Sequence, residues 1–421
     1  MNVVVYGLWH LGSVTAACLA KYHRVTGLDA DAARIAALQQ GHAPLLEPGL
    51  DDLIAAGLKA GRLSFTTEIA AVAGAEVLWV CYDTPVNADD VADVGFVVQR
   101  IELAAATLRP GSLVLISSQL PVGTCAQLEK RFPQLRFACS PENLRLGKAI
   151  DAFEKPARIV VGLRDASARA DLEKLLSPLG APLLFMRTES AEMVKHALNS
   201  FLALSIAFIN EIAAVCERTG ADAQEVSAGL KSEPRIGPRA YLAAGGPFAG
   251  GTLARDVVAV SSLAHAAGLD LALIPAIKTS NDWHRGWARR RVQSILPPGA
   301  GATIAVLGLT YTVGTDTLRR SAAVELVRQL LAAGYAVRAY DPAVTQPEPG
   351  HADIPLASDP LAALRGAGAV VICTEWPVFR TYDWPALLGA MAQPCVLDPN
   401  RFLERQVQAW PGIRYITVGR T

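Results

Sequence analysis

Lys195 and Asn199 stand four residues apart in a stretch without Gly or Pro, so a helix would place both on one face. A cation and an amide together on so apolar a helix need polar partners. A substrate oxyanion is one such partner; a buried salt bridge is the other. Glu142, in Pro141-Glu142-Asn143-Leu144, follows a strand signal. It suits acid/base work at the carboxyl edge of a sheet, and equally a solvated loop acid. Pro247-Phe248-Ala249-Gly250-Gly251-Thr252-Leu253-Ala254-Arg255-Asp256 sets a Gly pair beside a hydroxyl and two charges. Such a loop can close its backbone around a substrate. The ordinary alternative is a Gly-rich turn before a helix.

Gly7-Leu8-Trp9-His10-Leu11-Gly12 follows a strand signal and opens a helix, and Asp29 ends the next strand about twenty residues on. This is the context of a dinucleotide-binding turn. The pyrophosphate rests on the helix N-terminus, and the acid takes the ribose hydroxyls. An acid at Asp29 favours NAD over NADP. Trp9, however, stands where the middle Gly lets the backbone approach the phosphates. A strand-turn-helix that binds nothing is the competing reading.

These residues need a scaffold of alternating strands and helices. Short apolar strand signals lie at 3–6, 25–28, 77–81, 113–116, 137–139 and 158–161, with helical patterns between several of them. The alternation predicts a mostly parallel, doubly wound α/β sheet. Residues 189–219 predict one helix of roughly 45 Å. Its apolar positions cover more than one face, so it must be buried on several sides. A spine between two lobes that also packs on a second subunit satisfies this; a core helix within one chain is the alternative. The strand-helix pattern then restarts at 303–308 and continues to 395–397. The expected domains are 1–188, 189–290 and 291–421.

Composition narrows the functional classes. Of 421 residues, Lys plus Arg and Asp plus Glu each number 39, and the zero net charge argues against nucleic-acid or polybasic membrane binding. Hydrophobic residues at 51% and charged residues at 19% predict a large core. No run of about 18 apolar residues is free of polar breaks, so no transmembrane helix is expected. The N-terminus carries no signal-peptide pattern. The seven cysteines lack any CxxC pair. They read as reduced thiols of a cytosolic protein, neither a metal site nor a disulfide framework.

Taken in order, the segments resemble the UDP-glucose/GDP-mannose dehydrogenase family. The likeness includes Gly41-His42-Ala43-Pro44-Leu45-Leu46-Glu47-Pro48-Gly49-Leu50, Gly61-Arg62-Leu63, Asp83-Thr84-Pro85, Pro141-Glu142 and Ala191-Glu192-Met193-Val194-Lys195. It continues through Asn199-Ser200-Phe201-Leu202, Phe208-Ile209-Asn210-Glu211, Arg235-Ile236-Gly237 and the Phe248 to Asp256 segment. It ends with Gly308-Leu309-Thr310-Tyr311, Arg319, Tyr340-Asp341-Pro342 and Thr374-Glu375-Trp376. The resemblance implies two Rossmann-like lobes flanking a central helix that makes a homodimer or larger homo-oligomer. It implies NAD in the N-terminal lobe and a nucleotide sugar, UDP-linked by default, between the lobes. Family members oxidise the sugar C6 alcohol to a carboxylate with two NAD, through a Cys-bound thioester.

Carried onto this chain, Lys195 and Asn199 would stabilise oxyanions and position water, Asp256 would be the active-site acid, and Glu142 would act on water or leaving group. The implied cofactor contacts are Gly7, Trp9, Leu11, Gly12, Asp29, Arg34, Thr84, Gln119 and Arg319. The implied substrate contacts are Leu144, Arg235, Tyr241, Phe248, Gly250 and Arg401, with Arg235 reaching a neighbouring subunit's substrate. The departures fall on the chemistry. Thr252 holds the nucleophile's position, Arg255 and Thr312 replace lysines, Ser118-Gln119 replaces Ser-Thr, Leu146 replaces an acid, and Trp9 replaces Gly. A Thr hydroxyl is a poor nucleophile without a dedicated base. Three outcomes are open: a uronate made through an aldehyde hydrate, a two-electron oxidation that stops at an aldehyde or ketone, or a non-catalytic nucleotide-sugar binder.

Overall fold

Strand β1 (Asn2–Tyr6) sends successive side chains to opposite faces of a sheet. Val3 and Val5 enter one core cluster, and Val4 and Tyr6 another. Burial on both faces marks a parallel strand covered on each side. In the computed structural model, β1 belongs to an eight-stranded sheet with β2 (Arg24–Leu28), β3 (Leu63–Thr66), β4 (Val77–Val80), β5 (Leu113–Ile116), β6 (Arg136–Cys139), β7 (Ile159–Leu163) and β8 (Leu183–Met186). The order is β3-β2-β1-β4-β5-β6-β7-β8, parallel throughout except between β6 and β7. The order reverses between β1 and β4. In open α/β sheets, ligands bind outside the carboxyl ends of the strands at such a reversal.

The structure describes the chain except residues 88–90, 143, 145, 249–252, 299–300, 347–348, 408–409, 411 and 421. Two compact units divide it, Met1–Leu198 and Asn199–Thr421. The second holds a parallel five-stranded sheet of order β10-β9-β11-β12-β13. Its strands are β9 (Thr303–Leu307), β10 (Ala336–Tyr340), β11 (Ala369–Ile372), β12 (Cys395–Leu397) and β13 (Arg414–Ile416). The doubly wound α/β expectation therefore holds for both units. β3, β8 and β13 go beyond the strand signals read in the sequence; each is short and half-exposed in part.

The two sheets share one device. The Asp that follows the second strand caps the turn that follows the first. Asp29 Oδ2 accepts the Leu8 N–H at 2.7 Å. Asp341 Oδ2 accepts those of Leu309 at 2.6 Å and Thr310 at 3.0 Å.

The long helix runs Thr188–Thr219, 32 residues. Its length and a mean hydropathy of 1.7 over an 18-residue window make it apolar enough to cross a membrane. A buried core helix meets the same criterion of length and composition. Part of this surface is nevertheless buried in the chain's own core, with Ala203, Ala207 and Ile209 at 5% exposure or less. At its start the helix lies directly on β7. A Cβ on Gly162 would stand 2.6 Å from Ala191 Cβ and 2.8 Å from Thr188 Cα. Gly162→Ala should therefore cost about 1–3 kcal/mol through overpacking, read as a lower urea midpoint. An unchanged midpoint would contradict this contact.

Candidate active site

The turn after β1 is built for close approach. Gly7 has φ +93°, and a Cβ there would meet the Tyr82 ring at 2.6 Å. A Cβ on Gly12 would lie 1.7 Å from the Gly7 carbonyl oxygen, so the helix His10–Leu19 is pressed onto the turn. That helix has no side-chain cap and no acid in its first turn. Its leading N–H groups thus keep a positive field for an anion. Leu11 is buried beneath it.

Asp29 is buried and accepts from Leu8 N at 2.7 Å, Arg34 Nη1 at 2.9 Å and Asp31 N at 3.0 Å. A carboxylate has about four acceptor positions, which leaves room for a hydroxyl. The Arg34 guanidinium also lies over the half-buried Trp9 ring, 5.3 Å from its centroid. Across the strand-order reversal, Thr84 Oγ1 donates to the Gln119 carbonyl at 2.7 Å, tying the loops after β4 and β5 together. The two glycines, the uncapped helix start and Asp29 fit a dinucleotide. Trp9 adds a side chain that the motif normally lacks.

One face of the long helix grips two loops of the first unit. Glu192 accepts the N–H groups of Gly123 at 2.6 Å and Cys125 at 3.0 Å. His196 Nε2 lies 3.1 Å from the Leu120 carbonyl. Lys195 Nζ donates to the Glu142 carbonyl at 2.7 Å. The Glu142 carboxylate turns back to accept the Leu144 N–H. The three helix residues are buried. The structure thus brings Lys195, Glu142 and the Gln119 loop around one small cavity. Sequence reading singled out Lys195 and Glu142; Glu192 and His196 it left without a role.

In the second unit, Asn199 Nδ2 donates to Asp256 Oδ2 at 2.5 Å, and both residues are buried. Thr252 and Gly250 lie outside the described residues. The loop before them is held by amide side chains. Asn281 brackets Phe248, accepting its N–H at 2.9 Å and donating to its carbonyl at 3.0 Å. Asn210 accepts the Gly245 N–H at 3.0 Å, and Asn400 accepts the Gly246 N–H at 2.7 Å. His284 Nε2 donates to the Gly245 carbonyl at 2.7 Å.

Tyr241 and Arg319 are exposed, as is Arg235, whose Nε pairs with Glu233 Oε1 at 2.8 Å. Arg401 sits at φ +58° with its guanidinium on Asp222, at 2.5 Å and 3.0 Å, and on Gln224 at 2.8 Å. Its neighbour Asn400 is one of the residues that hold the Gly245–Gly246 backbone.

A cavity of about 430 Å³ opens where the second sheet reverses its strand order, at the carboxyl ends of β9 and β11. His284 Nδ1, Thr310 Oγ1 and Glu375 Oε1 line it and have no hydrogen-bond partner among the described residues. Burial pushes the Glu375 carboxyl up against a lowering hydrogen bond with Asn400, and pushes the His284 imidazole down. Sequence reading missed His284, Asn281, Asn210 and Asn400, since single amides and imidazoles leave no periodic signal.

The thiols are poorly placed to replace the family nucleophile. Burial pushes Cys18 and Cys373 up to about 12 and Cys395 up to about 11. It raises Cys81 well above the ordinary thiol range, and a hydrogen bond with Cys139 together with burial does the same for Cys125. A thiol at 12 is ionised to about one part in ten thousand at pH 8. The native chain should therefore leave a disulfide reagent unreacted for minutes at pH 8, while all seven cysteines titrate after unfolding. A rapid stoichiometric reaction would reveal a thiolate and contradict this account.

Comparison with known proteins gives a consistent result. Family models described as "UDP-glucose/GDP-mannose dehydrogenase family" match residues 1–180 (NAD binding domain), 189–283 (central domain) and 305–405 (UDP binding domain). The UDP-glucose 6-dehydrogenase of Rhizobium meliloti is 34% identical, with all of both chains covered. That of Pseudomonas aeruginosa is also 34% identical, over 100% of this chain and 98% of the relative. A UDP-glucose dehydrogenase structure from Pyrobaculum islandicum superposes with a TM-score of 0.89 at 30% identity, covering 100% of this chain and 98% of that one. With all three domain models in order and full-length relatives above 30% identity, the chain belongs to the UDP-glucose/GDP-mannose dehydrogenase family.

Proposed function

We propose that the chain is an NAD-dependent dehydrogenase that oxidises the sugar C6 alcohol of a UDP-sugar without a covalent thioester. The carrying observation is the buried Asn199–Asp256 pair, fixed at 2.5 Å one helical turn from Lys195. Such a pair holds an amide donor in place for charge that develops on oxygen. Gly7, Gly12, Asp29 and Arg34 would hold the dinucleotide. A bound nicotinamide dinucleotide supplies the hydride acceptor. In the first oxidation the C6 carbon loses a hydride and its hydroxyl a proton, leaving an aldehyde. Lys195 and Asn199 polarise the carbonyl oxygen, and Glu142 takes a proton from the water that adds to it. The resulting hydrate would give a second hydride to a second nicotinamide dinucleotide and lose two protons to solvent, leaving a carboxylate. The raised thiols and Thr252 at the nucleophile's position support this hydrated route.

The switch-point cavity in the second unit, with its unpaired His284, Thr310 and Glu375 atoms, supports a seat for the nucleotide. Trp9 favours a second reading, a chain that binds nucleotide sugar without turning it over. Both meet one experiment: NADH formed per UDP-glucose consumed, with mass spectrometry of the product. Two NADH and a uronate are expected. One NADH with an aldehyde or ketone would reduce the reaction to two electrons, and no NADH across UDP- and GDP-sugars would favour the binder.

The long helix also supports a homodimer. Phe201, Phe208 and Val215 recur every seven residues and are 65%, 45% and 58% exposed. A heptad stripe of this kind suits packing against another helix. Phe208→Glu should give the monomer mass in light scattering where the unaltered chain gives at least a dimer. A dimer that survives this change would remove the stripe from the interface.

A further inference from the structure

A buried carboxylate that this mechanism leaves unused joins the dinucleotide turn to the loop carrying Glu142. Glu47 is 5% exposed. Its Oε1 accepts the Ala149 N–H at 2.8 Å. Its Oε2 accepts the Gly147 N–H at 2.8 Å and lies 2.8 Å from His10 Nε2. A carboxylate only accepts, so His10 carries its proton on Nε2 here. Burial pushes the Glu47 carboxyl up, but the His10 contact and the two backbone donors override it and hold the group below the usual range. It is therefore an anion with three fixed donors.

The two ends of this bridge lie in different segments. His10 is the first residue of the helix whose N-terminus suits the pyrophosphate. Gly147 and Ala149 close the segment that bears Glu142 and Leu144. Gly147 has φ +80° and no side chain, and the short helix Ala149–Glu154 has no side-chain cap of its own. Glu47 supplies the acceptor at this point.

We propose that His10 is a positioning residue that, through Glu47, makes the order of the Gly147 and Ala149 backbone depend on occupancy of the dinucleotide turn, so that cofactor and nucleotide sugar bind cooperatively. The proposal rests on the dehydrogenase reading. Coupling of this kind is reciprocal, and restraint of either end favours the other. Replacing His10 should remove the coupling.

The test is calorimetric titration of the full chain with UDP-glucose, with and without saturating NADH, which cannot accept a hydride. NADH should tighten UDP-glucose binding at least about fivefold in the unaltered chain. In His10→Phe the ratio should fall to about one, whatever the change in either ligand's own affinity. His10→Gln, which keeps an N–H donor, should regain part of the ratio. Hydrogen exchange gives a second readout. NADH should slow the Gly147 and Ala149 amides in the unaltered chain but not in His10→Phe, or in His10→Ala if the Phe variant does not fold. A His10→Phe chain with the original ratio, or an unaltered chain that binds both ligands with no coupling, overturns this proposal alone. An unaltered chain that binds neither ligand overturns the dehydrogenase reading and this proposal with it.

Discussion

Loops that leave the carboxyl edge of a parallel sheet carry backbone N–H and C=O groups without ladder partners, and each one left buried and unpaired costs about 1–3 kcal/mol. The architecture is shaped by how this chain satisfies them. Asp29 and Asp341 serve the turns after the first strand of each sheet. Glu47 and Glu192 serve loops further along the first sheet. Asn210, Asn281 and Asn400 serve the loop at 245–248. The positions of the candidate catalytic groups follow from these anchors, because Lys195, Glu142 and Phe248 lie on or beside the anchored segments.

The long helix shows how one element meets two demands. Most of its residues are apolar. Yet Glu192, Lys195, His196 and Asn199 recur at the three- and four-residue spacing of a single face. The first three hold loops after β5 and β6, and the fourth holds Asp256. A buried polar stripe on an apolar helix is tolerable only when every member has a partner. Rigidity at the site and solvation of the helix face therefore have one physical cause.

Much of this was legible in the sequence, for local reasons. Gly7, Gly12 and Asp29 occur at spacings that a strand-turn-helix imposes, and Lys195 and Asn199 at a spacing that a helix imposes. The doubly wound sheets follow from alternating strand and helix signals. The asparagine clamps did not show, because Asn210, Asn281 and Asn400 come from three distant segments and meet only through the loop they hold. Arg401 drew attention by charge, whereas the fold turns it to Asp222 and gives its uncharged neighbour Asn400 the loop contact. Glu47 lay inside a recognised segment, but its partners are about a hundred residues away.

On the proposed function, Thr252 at the nucleophile's position and thiols raised by burial make water the nucleophile that precedes the second oxidation. The central claim is that no acyl group is ever carried on the chain. Intact-protein mass spectrometry of acid-quenched enzyme during turnover of UDP-glucose with NAD tests it most directly. The account predicts the unmodified chain mass at every time point while uronate accumulates. A transient species heavier by the nucleotide-sugar acyl group would contradict it and restore covalent catalysis.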